Sequence, residues 1–116
     1  MKFERELLEG VAPTVVLEVL SRGEMYGYEL SEAIAARSGD ILHLGRGTLY
    51  PLLYNLEAKG FVSARKAQGD NGRARRYYTI TGEGSEHLAR QKEQLEKLSS
   101  AVSTVFGFSG PQPQPV

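Results

Sequence analysis

Leu49, Leu52, Leu53 and Leu56 recur at three- and four-residue intervals, so at about 100° per residue they share one narrow stripe of a helix. The opposite stripe holds Gly47, Tyr50, Pro51, Tyr54 and Ala58, with Asn55 at its margin. Solvated helix faces normally carry charge; this one carries none and presents two tyrosines. Gly60 follows as a stop. The same pattern, read along the rest of the chain, predicts a short helix from Phe3 to Glu9 that ends at Gly10. A second helix begins at Pro13, where proline is tolerated in a first turn, and stops near Gly23. Its run from Thr14 to Leu20 is apolar nearly all round, which implies burial on more than one side. Tyr26-Gly27-Tyr28-Glu29-Leu30 opens a third helix with Leu30, Ala33 and Ile34 inward, ending around Ser38-Gly39. Asp40 to Gly45 is a connector.

The spacing then changes. Phe61 to Ala67 reads as a strand, Gly69-Asp70-Asn71-Gly72 as a turn whose residues tolerate positive φ, and Arg75 to Ile80 as an aromatic, β-branched return strand. Alternation puts Tyr77 and Tyr78 on opposite faces, with Tyr78 and Ile80 toward the core. Thr81 is suited to cap a last helix that runs to about Val105. In that helix Leu88, Leu95 and Val102 are seven apart, as are Gln91, Leu98 and Val105, offset by three. Such a stripe is too narrow to bury a domain and suits pairing with another helix, either this chain's own or a second copy's. The expected fold is mainly α (an α+β winged helix): a three-helix helix-turn-helix core, a two-stranded wing and a C-terminal dimerisation helix. The expected division is 1–81 for the winged helix-turn-helix, 82–107 for the dimerisation helix and 108–116 for a disordered, Pro-rich tail.

A chain of 116 residues allows one domain with a modest core. It has no cysteine, which removes disulfides, thiol catalysis and Cys-ligated metals. No apolar run approaches the roughly 20 residues of a membrane span. The first residues, Met1 to Glu6, lack a signal peptide's apolar core, so a cytoplasmic location is expected. Net charge is zero, but the zero conceals a segregation. Residues 1–40 carry eight acids and four bases, while 41–82 carry Arg46, Lys59, Arg65, Lys66, Arg73, Arg75 and Arg76 against only Glu57 and Asp70. A locally basic segment in a neutral chain is either a solvated surface or a footprint for a polyanion.

The helix with the uncharged arc, beside a basic hairpin, has what is needed to enter a DNA groove. Tyrosine can bond phosphate through its hydroxyl or lay its ring on a thymine methyl, and asparagine can read adenine, which makes Tyr50, Tyr54 and Asn55 candidate base contacts. Gly47, Pro51 and Ala58 are compact enough to let the helix approach the groove floor. Tyr54 could instead be half-buried against a neighbouring helix. Arg73, Arg75 and Arg76 are candidate phosphate contacts, although Arg75 and Arg76 face opposite ways on an alternating strand. Tyr26 and Gly27 could bring helix amides to a phosphate, or Tyr26 could simply pack. Arg46, Thr48 and Lys59 complete the candidate DNA-binding set. His43 and His87 have no ligand-like companions, and no nucleophile–base pair, carboxylate pair or phosphate loop is visible, so neither metal, cofactor nor catalysis is expected.

Four segments, in this order and spacing, resemble the PadR family of bacterial transcription regulators: Met25-Tyr26-Gly27-Tyr28-Glu29-Leu30, Gly47-Thr48-Leu49-Tyr50-Pro51-Leu52-Leu53, Leu56-Glu57-Ala58-Lys59-Gly60-Phe61-Val62, and Arg76-Tyr77-Tyr78-Thr79-Ile80-Thr81-Gly82-Glu83-Gly84. The single short final helix resembles the small subfamily, and Gly45-Arg46 stands where the family more often has Ser-Pro. The resemblance implies a homodimeric repressor on a palindromic operator, released by a small hydrophobic or cationic effector at the dimer interface. The expected interface is Val15, Val16, Val19, Leu88, Leu95, Leu98, Val102 and Val105. The expected effector pocket is Val15, Leu98, Phe106 and Phe108. Winged helices also serve as protein–protein modules, or as ligand-binding dimers without DNA, and these are the alternative readings.

Overall fold

The computed structural model describes residues 2–108. Its elements, in chain order, are α1 (Arg5–Glu9), α2 (Ala12–Leu20), β1 (Met25–Tyr26), α3 (Gly27–Arg37), α4 (Arg46–Ala58), β2 (Val62–Gln68), β3 (Ala74–Ile80) and α5 (Gly82–Phe106). The Pro-rich tail expected to be disordered lies, apart from Phe108, outside the described residues.

The wing is an antiparallel sheet of order β1-β3-β2. β2 and β3 pair from Val62↔Ile80 to Gln68↔Ala74, and β1 adds Met25↔Tyr78 and Tyr26↔Tyr77 on the far edge of β3. The third strand corrects the two-stranded expectation. At two residues β1 is too short to show an alternating pattern, and its Tyr26 reads locally as the start of α3. The tip runs as expected: Gly72 takes φ +79°, and the Asn71 side-chain oxygen accepts from the Arg73 amide at 3.1 Å.

Seven side chains are sealed at the centre: Val16, Leu17, Leu20, Leu30, Ile34, Leu49 and Leu53, from α2, α3 and α4. Tyr78 and Val62 carry the wing onto this core, and Leu88 carries α5 onto it. Leu44, buried in the connector, anchors the chain between α3 and α4, and the Ser31 hydroxyl donates to its carbonyl at 2.9 Å. α4 starts at Arg46, one residue after an uncapped Gly45. Pro51 is therefore an interior residue, and the helix gives up the amide that the carbonyl of Gly47 would otherwise receive. Gly47 is exposed, so water can serve there.

α5 begins under a double constraint. The Thr81 hydroxyl accepts from the Gly84 amide at 3.0 Å and donates to the Gly60 carbonyl at 2.7 Å, so the cap also ties the helix to the end of α4. Gly84 is buried against the wing root, where a Cβ would run into the carbonyl oxygen of Phe61 and lie 2.9 Å from Ile80 Cγ1. From there α5 leaves the core. At 25 residues it is about 37 Å long, and from Lys97 to its end every residue but Ser103 is exposed.

Candidate nucleic-acid interface

The two stripes of α4 separate as its periodicity demands. Leu49, Leu53 and Leu56 are buried, while Arg46, Gly47, Thr48, Tyr50, Pro51, Tyr54, Asn55, Ala58 and Lys59 are all exposed. Tyr54 is 73% exposed, which removes the reading that packs it against another helix. Tyr50 is braced rather than free. Its hydroxyl lies over Gly27 so closely that a Cβ there would sit 2.7 Å from the oxygen. Glycine at the first residue of α3 is what leaves room for this ring.

Tyr26 sits half-buried at the hub of a cluster. Tyr77 meets it edge-on at 5.5 Å, Tyr28 stacks at 6.5 Å, and the guanidinium of Arg75 lies 4.2 Å above its ring. Its amide is taken by Glu29 Oε1 at 3.2 Å. The expected offer of that amide to phosphate is therefore already answered inside the chain. Tyr28, 62% exposed beside this cluster, is the aromatic that sequence reasoning passed over. Its spacing of two from the inward Leu30 was the available signal.

The basic segment is less free than its sequence implies. Arg76 Nη2 bonds both carboxylate oxygens of Glu57 at 3.0 Å, which ties β3 to α4. Arg65 forks onto Glu24 at 2.8 and 2.6 Å and lies 4.9 Å over Tyr77. The hydrogen bond from Arg65 holds the Glu24 carboxyl below its ordinary range. Arg75 and Arg76 do face opposite ways, one onto Tyr26 and the other onto Glu57. Arg46, Lys59, Lys66 and Arg73 are exposed and form no ion pair among the described residues. These four, at the two ends of α4 and along β2 and the wing tip, are the cations left facing outward.

A match to the model of the transcriptional regulator PadR-like family spans residues 16–90 and so includes α3, α4 and the whole wing. The chain belongs to this family. A transcriptional regulator from Mycobacterium tuberculosis is 33% identical over 98 residues, which cover 84% of the chain and 88% of that protein. A transcriptional regulator from Escherichia coli is 27% identical over 88 residues, but the chain spans only 41% of it. Among solved structures, a PadR-like transcriptional regulator from Bacillus cereus superposes with TM-score 0.74 at 28% identity, covering 90% of this chain and 99% of that one. A transcriptional regulator from Clostridium thermocellum gives 0.78 at 26%, covering 84% and 95%. As a PadR-like protein the chain is a DNA-binding transcription regulator, of a class that is generally not enzymatic. No helix among its described residues is long and apolar enough to cross a membrane.

The structure divides the residues expected at a PadR-like dimer seam. Val16 has no exposed surface, and Val19 and Leu88 are nearly as closed, because all three pack in the core of one chain. Val16 has no surface left for a partner, and Val19 and Leu88 have very little, so that part of the expected seam is given over mainly to the chain's own core. Val15 and Leu95 are half-buried, and Leu98, Val102 and Val105 are exposed on the far half of α5. Between α2, α3 and α5 lies a cleft of about 280 Å³, lined by Val15, Val19, Ile34, Leu42 and Leu95 among others. Of the expected effector residues only Val15 lines it. Leu98, Phe106 and Phe108 lie outside its walls, and the two phenylalanines pack edge-on against each other at 5.2 Å. At the rim Glu18 is ringed by Lys92 at 2.6 Å, Arg37 at 3.7 Å and Arg22 at 3.8 Å. The hydrogen bond from Lys92 first, then these charges, hold its carboxyl below the ordinary range.

Proposed function

We propose that this protein is a repressor that binds a palindromic operator as a homodimer and is released by a small hydrophobic effector at the dimer interface. Residues 1–81 act as the DNA-binding unit and 82–107 as the dimerisation helix. The observation that carries the reading is the outer arc of α4: an uncharged, exposed surface of Thr48, Tyr50, Tyr54 and Asn55 between Arg46 and Lys59, with Arg73 at the adjacent wing tip. Cations at the edges set register on phosphates, and the neutral arc between them reads base edges. A two-fold dimer places two such helices about 34 Å apart, one DNA turn, which is why the operator is palindromic. The exposed Leu98, Val102 and Val105 supply the seam. The apolar lining of the cleft favours a hydrophobic effector. Its charged lining, Arg37 and Lys92 around the one carboxylate of Glu18, disfavours a cationic one.

A mobility-shift titration on the DNA upstream of the protein's own gene tests this reading. A sharp retarded band that resists excess random DNA is expected. Binding no better than to random DNA would overturn the operator claim.

A further inference from the structure

The cleft between α2, α3 and α5 joins an apolar wall to a charged edge. The wall is Val15, Val19, Ile34, Leu42 and Leu95, all aliphatic, and no aromatic ring stands among the lining residues. A planar ring has nothing to stack on there, whereas a flexible alkyl chain matches branched methyl groups. The volume, about 280 Å³, is at the lower end of the roughly 300–1,000 Å³ of ligand clefts, so the occupant is small.

Three charged side chains also line the cleft: Glu18 from α2, Arg37 from α3 and Lys92 from α5, two cations against one carboxylate. Their bonding is uneven. Lys92 Nζ donates to Glu18 Oε1 at 2.6 Å. Arg37 Nη2 stays 3.7 Å from Glu18 Oε2, beyond hydrogen-bond range, and its guanidinium makes no hydrogen bond among the described residues. A planar guanidinium whose donors the chain does not use, set beside an aliphatic pocket, fits the two oxygens of a carboxylate.

We propose that this cleft binds an aliphatic carboxylate, its alkyl chain against the wall and its headgroup on Arg37, with Lys92 as the second cation. This rests on the reading that the cleft takes the effector, and it names that effector's chemical class. An anion brings the three-residue lining to neutrality, whereas an amine would add to its positive charge. Occupancy ties α3, in the helix-turn-helix, to α5, the dimerisation helix, so the ligand acts across the joint between the two.

Full-length protein is titrated by isothermal calorimetry with octanoate, octan-1-ol and octylamine at neutral pH and two salt concentrations, as wild type, Arg37→Gln, Glu18→Gln and Leu98→Glu. Octanoate should bind wild type more tightly than octylammonium does, and added salt should weaken it. Arg37→Gln should weaken octanoate by about fivefold, the upper worth of a half-exposed ion pair, and leave octanol within about twofold. Glu18→Gln removes the competing carboxylate and should tighten octanoate by up to about fivefold. If Arg37→Gln leaves octanoate unchanged, or weakens octanol equally, the guanidinium does not hold the headgroup and the proposal is overturned. Octylammonium binding as tightly as octanoate overturns it too. Should Arg37→Gln melt too low to titrate, Glu18→Gln decides, and octanoate binding that is unchanged or weaker counts against the proposal. Octanoate binding to Leu98→Glu but not to wild type would show that a second copy of the chain fills the cleft, which also overturns it. Octanol binding without octanoate refutes the carboxylate and leaves the hydrophobic-effector reading standing. No binding by any of the three probes removes the cleft as an effector site, and that reading fails with the proposal.

Discussion

Replacing Gly84 by alanine places a methyl group where α5 crosses the wing root. On propensity alone the change favours the helix by up to about 1 kcal/mol. The surroundings reverse the sign. The new Cβ would collide with the backbone carbonyl of Phe61 and sit 2.9 Å from Ile80 Cγ1. A carbonyl in a fixed chain cannot rotate away as a side-chain tip can, so α5 has to move off the wing. That strains or breaks the bond from the Thr81 amide to the Phe61 carbonyl, now 3.0 Å, worth about 1 kcal/mol. Overpacking of this kind adds about 1–3 kcal/mol. The net expectation is a loss of about 2 kcal/mol, or roughly 10 °C in Tm for a chain of this size. Gly82→Ala is the internal control: it lies two residues earlier on the same helix, and a Cβ there meets nothing within 4 Å. That variant should melt at or slightly above wild type. Circular-dichroism melts of all three proteins at one protomer concentration give the comparison. A Gly84→Ala protein as stable as Gly82→Ala would refute the close docking of α5 on the wing.

Tyr54→Ala and Asn55→Ala should each reduce the preference for operator over random DNA by about 1–3 kcal/mol where the side chain makes a base contact, with little change in Tm because both are exposed. Leu98→Glu, on the open half of α5, should give monomers by sedimentation, since two like charges would face a dry seam; a variant that stays dimeric places the seam elsewhere. Glu18 has a folded-state pKa lowered chiefly by Lys92, so its contribution to stability is present above the ordinary carboxylate pKa and is lost as pH falls through the folded value. Wild-type Tm should therefore drop more steeply than that of Glu18→Gln below about pH 4, and parallel curves would contradict the linkage.

What the sequence carried was periodic. The two faces of α4 follow from leucine spacing, the Thr81 cap and the turn at Gly72 from single-residue preferences, and the inward Tyr78 from alternation. What it did not carry was paired over distance. Glu57 and Arg76 are 19 residues apart, and Glu24 and Arg65 are 41 apart, so a count of charges treated four mutually neutralising groups as free. β1 was hidden because two residues have no period. The dimer stripe was over-read for a related reason. A heptad in α5 identifies an apolar face but not where along its length the chain's own core stops, and that limit falls between Leu88, buried, and Leu98, 61% exposed.

The central claim is that the outer arc of α4 and the wing tip are the surface that meets DNA. Amide chemical-shift mapping of the full-length protein during titration with operator duplex tests it most directly. The account predicts the largest shifts at Arg46 to Lys59 and at Gly69 to Arg73, with Leu98 to Phe106 little moved. Shifts centred on α1 or on the far half of α5, with α4 unmoved, would contradict it.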